Sequence, residues 1–176
     1  MEVKSVISEF DSFLKGHNET FEATVIGAAA LVLLDVVIRQ TIDVDCLSPK
    51  IPERIAELAE EFRKSHPDLD LISNWINNGP DSLLRELPPN WKESVVTLFE
   101  GEAIKFTTLG RIDLLKTKLF AYCDRGDDLK DCIAMKPSAI ELDQCIEWVK
   151  DRDMNPDWPR HVIARFDLLK KKLGHE

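Results

Sequence analysis

Residues 25–47 read VIGAAALVLLDVVIRQTIDVDCL, and this stretch decides the fold. Residues 23–26 are typical of a short buried strand, Gly27 interrupts them, and the alanines and leucines that follow favour a helix. Residues 41–47 alternate in character, as a strand with one buried face does. We therefore expect a strand, a glycine turn, a helix and a second strand, in that order.

Two acids on the second predicted strand suggest a chemical role for it. Asp43 and Asp45 are two residues apart, so both carboxylates project from one face of a strand. Carboxylates held close together repel each other unless a cation lies between them. Mg²⁺, or Mn²⁺ in its place, binds a few carboxylate oxygens together with substrate phosphates. This pair is therefore a candidate metal site.

The predicted turn at Gly27 and Ala28 supports the same hypothesis. A glycine lets backbone N–H groups approach a phosphate, and the start of a helix favours negative charge. A D-x-D pair and a lone glycine are each common elsewhere, where they are an exposed strand face and a tight turn. Their order and spacing in this stretch favour a site for phosphoryl transfer.

The pattern Arg39-x-Thr41-x-Asp43-x-Asp45 after Gly27 resembles the nucleotidyltransferase superfamily with the DNA polymerase beta-like fold. It is similar in particular to small prokaryotic AbiEii-like domains, in which a glycine turn opens a helix and R-x-T-x-D-[IV]-D follows on the next strand. The resemblance implies metal binding by the two acids. It implies nucleotide binding by Gly27, Ala28, Arg39 and Thr41.

A second part of the family pattern lies downstream, in LLKTKLFAYCDRGDDLKDCIAM, residues 114–135. The family has a leucine-rich helix with an embedded lysine, then an arginine, then D-x-x-D. Lys118, Arg125, Asp128 and Asp131 occupy those positions. The two parts of the resemblance together cover roughly residues 22–135.

Lys118 falls inside the wide apolar arc of its predicted helix. A lysine there extends to water, or finds an acidic partner or a phosphate. In the functional interpretation it contacts the nucleotide phosphates or pairs with Asp43 or Asp45. In the structural interpretation it only extends to solvent.

Asp128 and Asp131 lie on one face of the next predicted helix, near its start. In the structural interpretation, Asp128 stabilises the helix dipole and Asp131 is solvated or bonded to Arg125. In the functional interpretation, which the resemblance implies, Asp131 lies at or beside the active site.

These residues predict an enzyme that transfers a nucleoside monophosphate from a nucleoside triphosphate to an acceptor hydroxyl, with Mg²⁺ or Mn²⁺ as cofactor. Lys118 offsets charge on the phosphates, and one of Asp43, Asp45 and Asp131 polarises the hydroxyl. The acceptor stays open among RNA, a protein and a small molecule. Some AbiEii-like relatives act as toxins paired with antitoxins, so the resemblance also raises a toxin-like role and a protein partner.

Departures from the family pattern keep a second function open. Ala28 stands where the family has a second glycine or a serine, so it offers no hydroxyl to a phosphate. The predicted strand at residues 94–99 has no internal acid to act as a third metal ligand, only Glu93 and Glu100 at its ends. The alternative is a catalytically degenerate module of this fold that binds a nucleotide or a protein partner.

The expected fold class is α+β, a nucleotidyltransferase-like mixed sheet flanked by helices with a helical C-terminal region. We expect a nucleotidyltransferase-like domain at residues 1–135, including an N-terminal helix, and a helical extension packed on it at residues 136–176. The remaining predicted elements are helices at 3–14, 52–64, 111–123, 128–135, 138–150 and 159–173, and a hairpin at 94–107.

Composition limits the class of protein. The chain has 32 acidic and 23 basic residues and a formal charge of −9, which excludes a uniform sleeve for DNA or RNA. Its four cysteines form no CxxC pair, which favours free thiols over structural zinc. The longest uncharged stretch is too short for the roughly 20 apolar residues of a membrane span. With no signal-peptide pattern at the start, we expect a soluble, cytoplasmic protein that does not bind membranes.

Overall fold

The computed structural model describes residues 2–38, 40, 41 and 43–175, except for the side chain of Asp81. The chain divides by its internal contacts into two compact units, Met1–Gly110 and Arg111–Glu176, called here the first and second units. The domain boundary predicted between residues 135 and 136 lies between two helices of the second unit.

The first unit contains the predicted strand, glycine turn, helix and second strand. Its helices are α1 (Val3–Gly16), α2 (Gly27–Leu33) and α3 (Glu53–Ser65). Its strands are β1 (Phe21–Ile26), β2 (Val44–Ser48), β3 (Ile76–Asn77), β4 (Val96–Glu100) and β5 (Ile104–Thr108). Short 3-10 helices at Pro67–Leu69, Asp81–Arg85 and Trp91–Ser94 occupy much of the turn-rich middle of the chain. The sequence did not predict β3.

Over the described residues, these strands form one five-stranded sheet in the order β3-β2-β1-β5-β4. β1 pairs antiparallel with β2 and parallel with β5, and β3 is parallel to β2. β4 and β5 form the predicted antiparallel hairpin. The mixed sheet and its helices confirm the α+β class. β2 begins at Val44 rather than at residue 41, so Asp43 lies just before the strand and not within it.

The core of the first unit joins one face of the sheet to the apolar faces of α1 and α3. The Phe10 ring centroid lies 5.2 Å from that of Phe62 and 5.1 Å from that of Trp75. The Trp75 indole N–H donates to the Ala59 carbonyl at 3.1 Å. The strands contribute buried Val25, Val44, Cys46 and Phe106. Because side chains alternate along a strand, Asp45, which stands between Val44 and Cys46, is directed to the opposite face.

A buried carboxylate joins α1 to the start of β5. Asp11 accepts hydrogen bonds from the backbone N–H groups of Glu102, Ala103 and Ile104 at 3.2, 2.9 and 2.7 Å. Burial raises the pKa of this carboxyl, but the backbone donors and the charge of Lys15 outweigh burial, so its pKa is lowered. Asp11 therefore holds the hairpin against the helix in its ionised form.

The second unit is helical over its described residues. Its helices are α4 (Arg111–Arg125), α5 (Leu129–Ala134), α6 (Ala139–Lys150) and α7 (Trp158–Leu173), as predicted to within a few residues. Ser138 and Glu141 form a reciprocal capping box at the start of α6. The Arg111 guanidinium donates to the Glu141 carboxylate at 2.6 Å, which joins the beginnings of α4 and α6.

We predict that Asp11→Asn lowers the free energy of unfolding at pH 7 by about 1–3 kcal/mol, because an amide presents one acceptor oxygen where the carboxylate presents two. The lowered pKa of Asp11 sets the pH dependence. Its contribution is present above the unfolded value of about 3.9 and is lost as the pH falls through the folded pKa. Urea titrations should therefore show a constant difference between wild type and variant from pH 5 to 8, shrinking below about pH 4.

The control is Asp68→Asn, at an exposed acid of the same unit. It should leave the unfolding free energy unchanged to within about 0.5 kcal/mol. An Asp11→Asn protein as stable as this control at pH 7 would show that Asp11 does not hold the hairpin.

Candidate functional site

The turn between β1 and α2 fixes where Asp45 lies. Gly27 has a φ of +76°, a backbone conformation that residues with a Cβ rarely adopt, and it starts α2 directly after β1. Ile26, the last residue of β1, pairs with Asp45 across the sheet. A Cβ added to Gly27 would lie 2.5 Å from Oδ2 of Asp45. The carboxylate therefore occupies space that only a glycine leaves open.

Asp43 precedes β2 and is oriented by a neighbour in the chain. The Thr41 hydroxyl donates to Oδ1 of Asp43 at 2.8 Å. Asp43 and Asp45 are half-buried, whereas Val44 between them is buried in the core. This alternation places both acids on the side of the chain that faces away from the core. The structure thus keeps Thr41, Asp43 and Asp45 on one short segment, with Gly27 against Asp45.

Ala28 and Arg39, which the sequence predicts to bind the nucleotide, give less support to the candidate site. Ala28 is the half-buried second residue of α2, and its N–H belongs to a first turn that has no acceptor within the helix. With seven residues, α2 is short, so its dipole contributes little. Arg39 lies outside the described residues, so its predicted contact with the nucleotide stays a prediction.

Asn77 contacts Asp45, and the sequence did not single it out. It is the second residue of β3 and pairs with Asp45 in the parallel ladder between β2 and β3. Its Nδ2 donates to Oδ1 of Asp45 at 3.2 Å, and its Oδ1 accepts from the Gly79 backbone N–H at 2.6 Å. The signal in the sequence was an asparagine directly after the apolar pair Trp75 and Ile76.

The next asparagine, Asn78, supports the loop that follows β2. Its Nδ2 donates to the carbonyls of Cys46 at 2.8 Å and Pro49 at 3.1 Å. Its Oδ1 accepts from the backbone N–H of Ile51 at 2.8 Å. The sequence INNGP at residues 76–80 therefore does more than turn the chain, because Asn77 contacts a side chain of β2 and Asn78 contacts its backbone and the loop after it.

The donor set of this region fits Mg²⁺ or Mn²⁺. Two carboxylates supply hard oxygen ligands, and these ions are ordinarily held by one or two carboxylates with substrate phosphates completing the shell. No group of three His, Cys, Asp or Glu side chains in the described chain could hold a metal by itself. Glu93 lies in a 3-10 helix, and Glu100 ends β4 and pairs with Lys105 at 3.5 Å. Neither is observed as a third ligand, so phosphate oxygens would have to complete the site.

A thiol beside the acids does not compete for a cation. Cys46 follows Asp45 in β2 and is fully buried. Burial, with a smaller effect from the charge of Asp45, raises the pKa of the Cys46 thiol to about 12. Because Cys46 lies in the core, on the opposite face of β2 from Asp45, the ligands offered beside Asp45 are oxygen atoms.

Lys118 and Asp131, the other two predicted catalytic residues, meet in the second unit. Lys118, whose side chain is 7% exposed, donates to Asp131 at 2.7 Å and to Asp128 at 2.8 Å. Arg125 donates to the second oxygen of Asp128 at 3.2 Å. The structure therefore gives Lys118 acidic partners from its own unit. Asp131 is buried and is bonded to Lys118, so its side chain lies away from solvent.

Asp128 is the N-cap residue of α5, but its side chain makes no capping hydrogen bond. Burial raises the pKa of Asp128, and the hydrogen bonds and charges of Lys118 and Arg125 outweigh burial, so its pKa is lowered. These groups form an internally balanced cluster of two cations and two carboxylates. Lys118, Arg125, Asp128 and Asp131 together make up this four-residue cluster.

One family model matches the chain, over residues 2–155, and its family is named a nucleotidyltransferase of unknown function, DUF6036. No curated protein and no solved structure matches the chain. No helix among the described residues has the length and apolar character needed to cross a membrane. The match supports the nucleotidyltransferase superfamily that the sequence pattern predicted, and the AbiEii-like subtype stays a prediction. Because the match covers most of the chain, including the acids of both units, this protein belongs to the DUF6036 family of nucleotidyltransferases.

Proposed function

We propose that this protein transfers a nucleoside monophosphate from a nucleoside triphosphate to an acceptor hydroxyl, in a reaction that requires Mg²⁺ or Mn²⁺. Membership of a nucleotidyltransferase family supports the reaction class. The observation that carries the proposal is the position of the Asp45 carboxylate against Gly27, where the chain turns from β1 into α2. This arrangement combines a cation ligand with a turn that a phosphate can approach.

Asp43 and Asp45 hold the divalent cation in this proposal. When bound, the cation would neutralise part of the negative charge on the triphosphate. Thr41 keeps the Asp43 carboxylate in one orientation through its 2.8 Å hydrogen bond. The missing side chain of Gly27 lets Asp45 lie against the turn, and the backbone N–H groups of Gly27 and Ala28 would face the phosphates.

In the transfer, the acceptor oxygen forms a bond to the α-phosphorus, and the bond from that phosphorus to the bridging oxygen of the β-phosphate breaks. Pyrophosphate leaves with the electron pair of the broken bond. The proton of the acceptor hydroxyl passes to a carboxylate, and Asp43, Asp45 and Asp131 remain the candidates. In-line positioning and charge stabilisation account for most of the acceleration in such reactions.

We assign Lys118 an orienting role toward Asp131. Its ammonium group bonds to Asp128 and Asp131, so its charge is already balanced within the second unit. An aspartate held by such a bond keeps one orientation within the second unit, and the role of Asp131 with the acceptor hydroxyl stays a prediction. Lys118 would contact phosphates only after giving up one of these partners.

A second candidate function is a module of this family that binds a nucleotide without transferring it. Ala28 offers no hydroxyl to a phosphate, and the described residues bring no third acid to Asp43 and Asp45. Such a module binds nucleotide but shows no metal-dependent turnover. The toxin-like role stays a prediction, which the identity of the acceptor tests.

We predict that replacing both metal-binding acids, Asp43→Asn with Asp45→Asn, lowers transfer at least about a hundredfold, because carboxylate charge that holds the cation is lost. The assay incubates the protein with Mg²⁺, each α-labelled nucleoside triphosphate, total RNA and protein extract. The matched control is Asp68→Asn with Asp70→Asn, the same change of charge at exposed acids of the same unit. The control should transfer label at the wild-type rate.

The labelled band identifies the acceptor class, RNA or protein. Transfer that is undiminished in the variant of Asp43 and Asp45 would refute the proposal. A wild-type protein that binds nucleotide but transfers no label, to these acceptors or to small alcohols and aminoglycosides, would establish the binding module instead.

We predict that Gly27→Ala damages the site beyond the cost of its backbone strain. The left-handed conformation costs a residue with a Cβ about 1–2 kcal/mol. The new Cβ would also displace the Asp45 carboxylate, from which it would lie 2.5 Å. Gly174→Ala is the matched control, because Gly174 has a φ of +75° and nothing within 4 Å of an added Cβ.

Thermal unfolding and the transfer assay separate the two effects of Gly27→Ala. The control should lose a little stability and keep its transfer rate, whereas Gly27→Ala should lose both. Equal transfer rates for the two variants would contradict the position assigned to Asp45.

We predict that Lys118→Met lowers the free energy of unfolding by about 3–5 kcal/mol, because it leaves buried carboxylates without their cation. Lys130→Met is the control, since Lys130 is exposed on the neighbouring helix. Chemical denaturation followed by circular dichroism measures both. If Lys118→Met were as stable as Lys130→Met, the four-residue cluster would not stabilise the second unit.

A further inference from the structure

Asn77 contacts the candidate metal ligand Asp45 from the neighbouring strand. β3 consists of only two residues, and their pairing with β2 sets Ile76 opposite Val44 and Asn77 opposite Asp45. Paired residues in a ladder place their side chains on the same face of the sheet. Asn77 is half-buried there, and its Nδ2 lies 3.2 Å from Oδ1 of Asp45.

The orientation of the Asn77 amide is fixed by a second hydrogen bond. Its Oδ1 accepts from the Gly79 backbone N–H at 2.6 Å. Reversing the amide would set its NH₂ group against that N–H, so the oxygen must face Gly79 and the NH₂ must face Asp45. A Cβ at Gly79 would lie 2.8 Å from this oxygen, so position 79 must stay small for the amide to remain in place.

The two oxygens of the Asp45 carboxylate consequently have different surroundings. Oδ1 receives the Asn77 amide, whereas Oδ2 lies against the Gly27 turn. We propose that Asn77 is a positioning residue that holds the Asp45 carboxylate in one orientation for binding the divalent cation. This inference rests on the proposed function, since it requires a cation at Asp43 and Asp45.

The hydrogen bond from Asn77 to Oδ1 has a consequence for cation choice. Mg²⁺ and Mn²⁺ favour six-coordinate sites in which a carboxylate supplies a single oxygen, whereas Ca²⁺ accepts six to eight ligands and often both oxygens of one carboxylate. By engaging Oδ1, Asn77 disfavours the bidentate arrangement. Asn77 therefore both strengthens Mn²⁺ binding and raises the preference for Mn²⁺ over Ca²⁺.

The test uses the full-length chain and Mn²⁺ alone, with free Mn²⁺ measured by electron paramagnetic resonance. Asn77→Ala should raise the Mn²⁺ dissociation constant about tenfold or more, the usual effect of losing a group that orients a metal ligand. Competition with Ca²⁺ should show a smaller preference for Mn²⁺ than in wild type. Asn90→Ala, at an exposed asparagine of the same unit, should match wild type in both measurements.

A second variant separates positioning from folding. Gly79→Ala keeps both Asn77 and Asp45 but pushes on the amide oxygen, so it should weaken Mn²⁺ binding in the same direction as Asn77→Ala. Thermal unfolding without metal should place both variants close to wild type. A loss of Mn²⁺ affinity and cation preference in folded protein supports positioning, which a purely structural role would not produce.

The outcomes distinguish this inference from the proposed function. Asn77→Ala with wild-type Mn²⁺ affinity and preference overturns the role of Asn77, and if Asp45→Asn abolishes Mn²⁺ binding in the same series, the metal site itself stands. Wild-type protein that binds no Mn²⁺ overturns the inference as well, and the transfer assay then decides the proposed function independently.

Discussion

The contact between the Asp45 carboxylate and Gly27 is the constraint on which the candidate site depends. Antiparallel pairing of β1 with β2 sets Asp45 opposite Ile26, the last residue before the glycine. The chain must then turn into α2 with a φ of +76° at a residue that has no Cβ, because Oδ2 of Asp45 occupies that space. Gly27 thus satisfies two requirements, a positive φ and space for the Asp45 carboxylate. Together they place Asp45 beside the start of α2.

The surrounding structure supports this contact from several directions. Trp75 is buried between α1 and α3 and directly precedes β3. Its packing therefore places Asn77 beside Asp45. Asn78 holds the loop after β2. Asp11 holds the β4–β5 hairpin, and β5 pairs with β1 on the side away from β2. Asp45 therefore stands on a strand that is supported on both sides, and Asp43 lies just before that strand.

The second unit has a different electrostatic arrangement. Lys118 and Arg125 balance the charges of Asp128 and Asp131. The Lys118 ammonium, which the sequence suggested as a phosphate ligand, is therefore paired inside a helical unit. Buried ion pairs of this kind are costly to break and contribute modestly to net stability. This explains why Lys118 is placed on an apolar helix face without destabilising it. The cluster therefore holds Asp131 in one orientation.

Local pattern was enough to predict most elements, because helical spacing, alternation and the glycine turn are properties of neighbouring residues. The same reasoning selected Asp43 and Asp45 as candidate ligands, since the D-x-D spacing is local as well. It could not identify β3, which has only two residues and exists through pairing with β2. Asn77 was missed for that reason. The partners of Lys118 depend on how α5 folds back after Gly126, a non-local outcome that helical spacing alone does not determine.

The most direct test of the account is a calorimetric titration of non-hydrolysable α,β-methylene nucleoside triphosphates into the wild-type protein, with Mg²⁺ and with a chelator. If Asp43 and Asp45 hold a cation against the triphosphate, at least one analogue binds with Mg²⁺, and its affinity falls at least about tenfold with the chelator. Affinity that is equal with and without Mg²⁺, or the absence of binding by every analogue, would contradict the account.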